Sequence, residues 1–240
     1  MIGSLKTVVF DAPDHRALAA FYSELLGGEH LDDSEDWVTV RTADGWRVGF
    51  QLAPDLPRST WPSQELPEQL HLDLFVPDLS AAVQRAEFLG ATPAAGGGET
   101  FVVLTDPAGH PFCLCVHEQD EPIGVFCIAL DCPDPAELAH FYAALLGMQI
   151  VQVAKDGAWL TGEGPMANVT FSRVTDYNPP RWPDPAAPQQ LHVDVRVEDV
   201  DTAEQRALAV GATRLPGEGE NWRVYADPAG HPFCLVYDVE

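Results

Sequence analysis

The sequence repeats itself at a nearly constant offset, and this repeat limits the folds available to the chain. Asp106–Leu114 reads Asp-Pro-Ala-Gly-His-Pro-Phe-Cys-Leu and returns letter for letter as Asp227–Leu235, 121 positions later. Leu70–Leu74 returns with the same offset as Leu191–Val195, which reads Leu-His-Val-Asp-Val. The 240 residues therefore predict two copies of one fold, of about 120 residues each. We place the two domains at residues 1–120 and 121–240.

Each half is predicted to contain two units, and each unit a strand, a helix and about three further strands. The helix of the first unit is marked by an apolar stripe at i, i+3, i+4, i+7 and i+8. Its members are Leu18, Phe21, Tyr22, Leu25 and Leu26. The second unit is predicted as a strand at Leu70–Val76, a helix at Leu79–Leu89, and strands at Phe101–Leu104 and Phe112–Val116. Proline-rich connectors at 53–67 and 178–188 separate the units, and the number of strands between Leu89 and Phe101 stays open.

Composition excludes several classes of partner. The chain carries 13 basic and 37 acidic side chains, a formal net charge of −24 that repels nucleic acid and anionic membranes. This charge favours a solvated acidic surface, with attraction of a cationic ligand as the alternative. The five cysteines form no CxxC pair, which is typical of buried reduced thiols. With neither a long apolar segment nor a signal-peptide pattern at the N-terminus, a cytoplasmic protein without a membrane anchor is expected.

Side chains that could bind a metal or take part in catalysis cluster on one face of the predicted sheets. Residues i and i+2 of a strand share a face, so His71 and Asp73 point away from the apolar positions that cover the helix. Cys113 occupies the same kind of position in the last strand of the first half. The second half repeats this arrangement with His192, Asp194 and Cys234. A curled sheet would place a His, an Asp and a Cys in one cleft.

Taken together, these motifs resemble the vicinal oxygen chelate superfamily, and in particular its glyoxalase-like domains. The resemblance rests on the Phe-Tyr-x-x-Leu-Leu-Gly helix end, the His-x-Asp strand and the Asp-Pro-x-Gly-x-x-Phe-x-Leu ending, each present twice. It implies an α+β fold of four βαβββ modules that form two tandem glyoxalase/bleomycin-resistance-like domains. The superfamily includes lyases, isomerases, dioxygenases and metal-free binding proteins.

The resemblance also implies where a divalent metal (Zn, Fe, Mn or Ni) would bind. His71 and His192 occupy the family's histidine position, seven residues before an aspartate. Cys113 and Cys234 replace the family's glutamate. The remaining positions correspond to Ser4 and Gly124 in the opening strands, and to Gln51 and Ser172 in the last strands of the first modules. His71 with Cys113, completed by Gln51 or Asp73, could bind zinc.

Three roles stay open for the histidines: metal ligands, cleft-wall residues hydrogen-bonded to a neighbour, or a general acid/base without metal. Trp61 and Trp182 are either aromatic lids or latches that hold the connectors. The expected cleft residues are His71, Asp73, Gln51, Cys113, Trp61, His192, Asp194, Cys234 and Trp182.

We expect a protein that binds a small organic molecule in one or both domains without the usual metal site. The alternative is a metal-dependent lyase, isomerase or dioxygenase-type enzyme that uses His71 or His192, and a third possibility is one functional half beside a structural one. A monomer or a homodimer is expected, and the pairing of the modules stays open.

Overall fold

The computed structural model describes residues 1–117 and 122–238, and within them it contains sixteen strands and four helices. The first module comprises β1 (Ser4–Ala12), α1 (His15–Leu26), β2 (Glu29–Asp33), β3 (Trp37–Arg41) and β4 (Arg47–Leu52). The second comprises β5 (Leu70–Val76), α2 (Leu79–Leu89), β6 (Thr92–Gly97), β7 (Phe101–Thr105) and β8 (Pro111–Val116). The third comprises β9 (Gly124–Cys132), α3 (Pro135–Leu146), β10 (Gln149–Val153), β11 (Gly157–Thr161) and β12 (Asn168–Arg173). The fourth comprises β13 (Leu191–Arg196), α4 (Val200–Ala209), β14 (Thr213–Glu218), β15 (Trp222–Ala226) and β16 (Pro232–Val236). The predicted βαβββ modules are confirmed.

Local sequence signals fix the ends of the helices. The Asp14 carboxylate accepts a hydrogen bond from the Ala17 backbone N–H at 2.9 Å and so caps the first turn of α1. Gly27 ends the helix in the left-handed conformation, at a φ of 64° that side chains with a Cβ disfavour. The second helix and the strand before it have the predicted bounds.

The strands assemble into two eight-stranded sheets, and each sheet combines modules from both halves of the chain. The first and fourth modules form one sheet, with the order β14-β15-β16-β13-β1-β4-β3-β2, here called the terminal sheet. The second and third modules form the other, with the order β10-β11-β12-β9-β5-β8-β7-β6, here called the central sheet. Antiparallel pairs join the modules, β1 with β13 and β5 with β9. The sequence left this pairing open.

Contacts between side chains also join the two modules within each half. Helix α1 contacts α2 of the neighbouring module, and the rings of Phe21 and Phe112 meet edge to face with centroids 6.0 Å apart. The Tyr22 hydroxyl donates to the Asp106 carboxylate at 3.2 Å, and Tyr142 makes the matching bond to Asp227 at 3.1 Å. The apolar core therefore lies on the helical side of the sheets and leaves their other faces for ligands.

The strands that the sequence did not predict are the outermost ones, β2, β6, β10 and β14. Every residue of β2 and of β10 is exposed, so these strands lack the alternation of apolar and polar residues that marks a half-buried strand. The predicted boundary between residues 120 and 121 lies outside the described residues. In the described part of the chain, no helix is both long enough and apolar enough to cross a bilayer.

Candidate functional site

A cavity of about 780 Å³ opens on the face of the terminal sheet that points away from the helices. Strands β1, β4, β13 and β16 supply its polar wall. The polar residues that define it are Lys6, Thr7, Gln51, His192, Asp194 and Cys234. Three indoles, those of Trp37, Trp182 and Trp222, add an aromatic wall. The first and fourth modules thus build one binding-sized cleft between them.

The proton of His192 is positioned by a buried amide. The Gln189 Nε2 group donates to the Asp11 carboxylate at 2.7 Å and lies 3.2 Å from His192 Nδ1. An amide nitrogen has two hydrogens and no available lone pair, so Nδ1 must accept. Neutral His192 therefore carries its proton on Nε2, the ring nitrogen on the Asp194 side, 3.9 Å from that carboxylate.

Burial sets the charge of the His192 cluster. It lowers the pKa of His192 to about 4, so the ring is neutral at physiological pH. Burial raises the pKa of Asp194 to about 7, against the opposing effect of the Lys6 charge. The Cys234 thiol is also kept protonated, because burial and the nearby Asp194 both raise its pKa well above the usual value.

The central sheet brings together the corresponding residues in a different charge state. His71 Nε2 lies 3.3 Å from the Asp73 carboxylate, and the Cys127 thiol donates to the same carboxylate at 3.3 Å. Burial alone would lower the pKa of His71, but the hydrogen bond and the charge of Asp73 raise it. Burial likewise opposes ionisation of Asp73, yet the contacts with His71 and with the thiols of Cys113 and Cys127 lower its pKa. This cluster is therefore an ion pair below the raised pKa of His71, whereas in the other cluster His192 and Cys234 are neutral and Asp194 loses its proton near pH 7.

Both clusters have donor atoms close enough for a metal ion. In each trio, one ligand atom per residue lies within 4.8 Å of the other two: His71, Asp73 and Cys113 in the central sheet, and His192, Asp194 and Cys234 in the terminal sheet. Imidazole, carboxylate and thiolate are ligand types that zinc accepts. The central trio fits such an ion. The terminal trio does not, because a metal-bound histidine donates its other ring N–H to an acceptor, and Gln189 instead presents a donor to Nδ1.

Comparison with known proteins agrees with this architecture. The family model described as "Glyoxalase-like domain" matches residues 7–115 and again 127–236. The chain belongs to the glyoxalase-like domain family. No curated protein sequence matches it.

Among solved structures, glyoxalase I from Zea mays superposes with a TM-score of 0.69 at 18% identity, over 98% of this chain and 92% of that one. A putative dioxygenase from Bacillus subtilis superposes with a TM-score of 0.67 at 14% identity, over 99% of this chain and 86% of that one. At these identities the likeness shows the fold of the glyoxalase-like protein.

The tertiary structure changes which predicted residues share a cleft. Gln51 lies in the terminal sheet and lines the cavity of His192, so the predicted combination of Gln51 with His71 is wrong. The reason is the pairing of the first module with the fourth. Trp182 lines the same cavity, whereas Trp61 packs near Gly96 at the edge of the central sheet.

The residues assigned to the family's ligand position in the opening strands also need correction. Asp14 caps α1 as Asp78 caps α2, and the residue seven before Asp14 is Thr7 rather than Ser4. Counting back from Asp134, the cap of α3, gives Cys127 rather than Gly124. Counting from the helix cap would have identified both residues in the sequence, because their strands pair Thr7 with Asp194 and Cys127 with Asp73.

Three other cavity residues carried no sequence signal. Lys6 and Trp37 lie in ordinary strand patterns, and Gln189 lies in a proline-rich connector. Trp37 depends on a glycine in the neighbouring strand. A Cβ on Gly49 would come within 2.7 Å of the indole Cζ2, so only glycine leaves room for the ring there.

The pKa values of His192 and His71 are expected to be shifted in opposite directions from the ordinary value. Long-range proton–nitrogen NMR spectra of ring-labelled protein should show His192 as the neutral Nε2–H form down to about pH 4, and His71 with its pKa raised above the ordinary 6.5. The variants His192→Gln and His71→Gln assign the signals. A charged His192 at pH 6, or a ring protonated on Nδ1, would contradict the arrangement with Gln189.

Proposed function

We propose that this glyoxalase-like protein binds a small organic molecule in the cavity of the terminal sheet and needs no metal ion there. The observation that carries the proposal is the hydrogen bond from Gln189 to His192 Nδ1, which keeps a proton rather than a lone pair on Nε2. His192 would donate that proton in a hydrogen bond to an acceptor on the ligand.

The size and lining of the cavity support this proposal. Small-molecule sites commonly enclose roughly 300–1,000 Å³ and combine apolar walls with a few convergent polar groups. The volume of about 780 Å³ falls in this range, and three indoles line the cavity together with the polar groups. The Cys234 thiol is a buried donor because its pKa is raised well above the usual value, and Asp194 adds a second donor below its pKa of about 7.

The test is a binding screen on chelator-treated protein. Aromatic fragments in three charge classes (acids, neutral amides and amines) would be examined by ligand-observed NMR, with Trp222→Ala as the variant that locates binding in this cavity. We expect at least one class to bind without added metal and to bind more weakly to Trp222→Ala. Binding only after metal is restored, or no binding by any class, would contradict the proposal.

The central sheet supports a second candidate function, a zinc-type site. His71, Asp73 and Cys113 would hold the ion, because their three ligand atoms lie within 4.8 Å of one another. A bound ion of this kind supplies a Lewis acid that polarises a ligand oxygen. Two protons must leave for the ion to bind, one from His71 and one from the Cys113 thiol, whose pKa is raised by burial and by Asp73.

Elemental analysis separates the two clefts. Untagged protein purified without chelator should carry either no metal or one ion that is lost in His71→Ala and kept in His192→Ala. The reason is that only the central trio leaves its histidine able to coordinate. An ion that is lost in His192→Ala and kept in His71→Ala would contradict the assignment of the metal-free cleft to the terminal sheet.

A further inference from the structure

We infer that the cavity of the terminal sheet takes an uncharged aromatic lactam, a planar ring in which a carbonyl group and an N–H group are neighbours. The carbonyl oxygen accepts a hydrogen bond from His192 Nε2–H, and the N–H group donates to the Asp194 carboxylate. The indoles of the cavity cover the ring. This inference rests on the proposed function and names the class of ligand.

The donor and the acceptor for such a ligand lie side by side on the cavity wall. His192 and Asp194 are residues i and i+2 of β13, so their side chains leave the strand on the same face, and both line the cavity. Their side chains are 7% and 13% exposed. Gln189 keeps the proton of the neutral ring on Nε2. The wall therefore offers one N–H donor beside one carboxylate.

These two groups do not satisfy each other. His192 Nε2 lies 3.9 Å from Asp194 Oδ1. An N–H···O hydrogen bond spans about 2.7–3.2 Å, so the two atoms are too far apart to form one. Buried polar groups favour a hydrogen-bond partner. A ligand that presents an acceptor and a donor on neighbouring atoms gives both groups a partner at once.

A ring amide, or lactam, meets this requirement. An amide is planar, and an open-chain secondary amide is strongly trans, with its oxygen and its N–H group on opposite sides. Closing the amide into a small ring forces the two onto the same side. Side chains read the edges of heterocyclic bases in a similar way, by pairing with neighbouring donor and acceptor atoms. The edge of a lactam therefore matches His192 and Asp194 together.

The other charges on the wall favour neither an anion nor a cation. Lys6 and Arg47 line the cavity, and so do Asp32 and Asp36. Because charges of both signs line the same cavity, a charged ligand is attracted by some of these groups and repelled by others. A charged ligand also loses hydration on entering, whereas a lactam has no net charge to desolvate. The hydrogen-bond pattern rather than net charge therefore selects the ligand.

The aromatic wall indicates that the lactam belongs to a flat ring system. Trp37 and Trp222 line the cavity, and the Trp182 indole N–H donates to the Pro216 carbonyl at 2.9 Å, which fixes that ring. Apolar ring faces favour a planar partner, and ring contacts contribute beyond the area they bury. The cavity volume of about 780 Å³ is sufficient for two fused rings.

The second copy of the fold shows that this pattern is specific to one cleft. In the central sheet, His71 Nε2 lies 3.3 Å from the Asp73 carboxylate, and the Cys127 thiol donates to the same carboxylate at 3.3 Å. Donor and acceptor are thus partners of each other before a ligand arrives. Glu68 takes the place of Gln189, so a carboxyl group replaces the amide that fixes the histidine proton.

The test is calorimetric titration of chelator-treated protein at pH 8, above the pKa of about 7 that burial gives Asp194. The probes are quinolin-2-one and N-methylquinolin-2-one, with naphthalene-2-carboxylate and 2-naphthylmethylamine as the charged classes. We expect the lactam to bind about tenfold or more tightly than its N-methyl derivative, because the methyl group removes the donor and leaves the Asp194 carboxylate unpaired. We also expect the lactam to bind more tightly than either charged probe.

Substitutions separate the two hydrogen bonds. Asp194→Ala removes the acceptor and should abolish the preference for the lactam over its N-methyl derivative, and Asp194→Val serves the same purpose if Asp194→Ala does not fold. His192→Leu removes the donor to the carbonyl oxygen that both probes share, so it should weaken both and keep the preference. Glu99→Gln changes an exposed carboxylate between β6 and β7 and should leave binding unchanged.

The outcomes separate this inference from the proposed function. If the N-methyl derivative or a charged probe binds as tightly as the lactam, and Trp222→Ala weakens that binding, the proposed function stands and the lactam assignment is overturned. A preference that persists in an Asp194 variant folded by circular dichroism also overturns it, as does a preference lost only in Asp73→Ala. If none of the probes binds, the inference fails, and the fragment screen decides the proposed function. Loss of the preference in Asp194→Ala, with equal weakening of both neutral probes in His192→Leu, supports the inference.

Discussion

Asp106→Ala is expected to lower the free energy of unfolding by about 3–5 kcal/mol, because it removes one partner of a buried, hydrogen-bonded charge pair. The Asp106 side chain is fully buried and accepts hydrogen bonds from three backbone N–H groups, those of Ala108, Gly109 and His110, at 2.8–3.0 Å. The other carboxylate oxygen lies 2.9 Å from His110 Nδ1 and accepts from the Tyr22 hydroxyl. Urea unfolding at pH 7 measures the loss.

Asp106 and Gly109 close a turn between β7 and β8, with the Gly109 N–H donating to the Asp106 carbonyl at 3.0 Å. The effect of Asp106→Ala should extend beyond this turn, because His110 connects the two sheets. Its Nε2 lies 3.0 Å from the backbone carbonyl of Asp11 in β1, while the turn itself leads into β8 of the central sheet. Burial opposes the charged ring, but Asp106 and nearby groups raise the pKa of His110 to about 9. This contribution to stability is complete below pH 6.5 and is lost as the pH rises through about 9, so Asp106→Ala should also flatten that loss.

Two variants serve as comparisons for Asp106→Ala. Asp227→Ala removes the matching carboxylate of the second copy, which accepts from the Tyr142 hydroxyl and His231, and should cost a similar amount. Asp78→Ala removes an exposed helix cap and should cost about 1 kcal/mol. A loss for Asp106→Ala no larger than that for Asp78→Ala would contradict the role assigned to the turn.

Glu68→Gln is expected to stabilise the protein by about 1–3 kcal/mol at pH 8 and by much less at pH 5, because it replaces a buried carboxyl group that must hold its proton in the folded protein. Glu68 is 1% exposed, so its carboxyl group is removed from water. Burial raises the pKa of Glu68 well above its usual value, and the charge of Asp106 adds to this, although the charge of His110 and a hydrogen bond with the Ser59 side chain oppose it.

The sign of the pH dependence follows from proton binding. Glu68 holds its proton more tightly in the folded than in the unfolded chain, so the protein loses stability as the pH rises above the ordinary value of 4.5. An amide has no such titration. Urea unfolding at pH 5 and pH 8 compares the variant with the unaltered protein, and an equal difference at both pH values would contradict the explanation.

The second copy of the fold supplies the control for Glu68→Gln. Gln189 lies at the equivalent position, 121 residues later, and its amide donates to Asp11 at 2.7 Å. Gln189→Glu places two carboxyl groups at that distance and should destabilise the protein at pH 8 more than at pH 5. At this position the amide is thus expected to be more stable than the acid in both sheets, and by more at pH 8 than at pH 5.

Much of the fold was predictable because it depends on local signals. The stripe of α1, the aspartate caps and the bounds of β5 and α2 follow from periodicity and capping chemistry within one element. The exposed edge strands were missed because neither face of β2 or β10 is buried. The burial of His110 could not be predicted from a local pattern, because its partner Asp11 lies 99 positions away.

The candidate site was predictable only in part. Repetition and alternation identified His71, Asp73 and Cys113, and their counterparts, as groups on one sheet face, and the structure brings each trio within 4.8 Å. The sequence could not pair Gln51 with His192, since sheet pairing between distant modules is not encoded in any local pattern.

The sequence by itself determined that this protein has two copies of one fold, with the same three polar residues offered by each copy. The tertiary structure alone decided that the first module joins the fourth and the second joins the third. That pairing places Lys6, Arg47 and Trp37 beside His192, and Phe126 and Asn168 in the sheet of His71. The physical reason is that side chains from different modules set the charge, solvation and proton position of each histidine, so equal motifs acquire different chemistry.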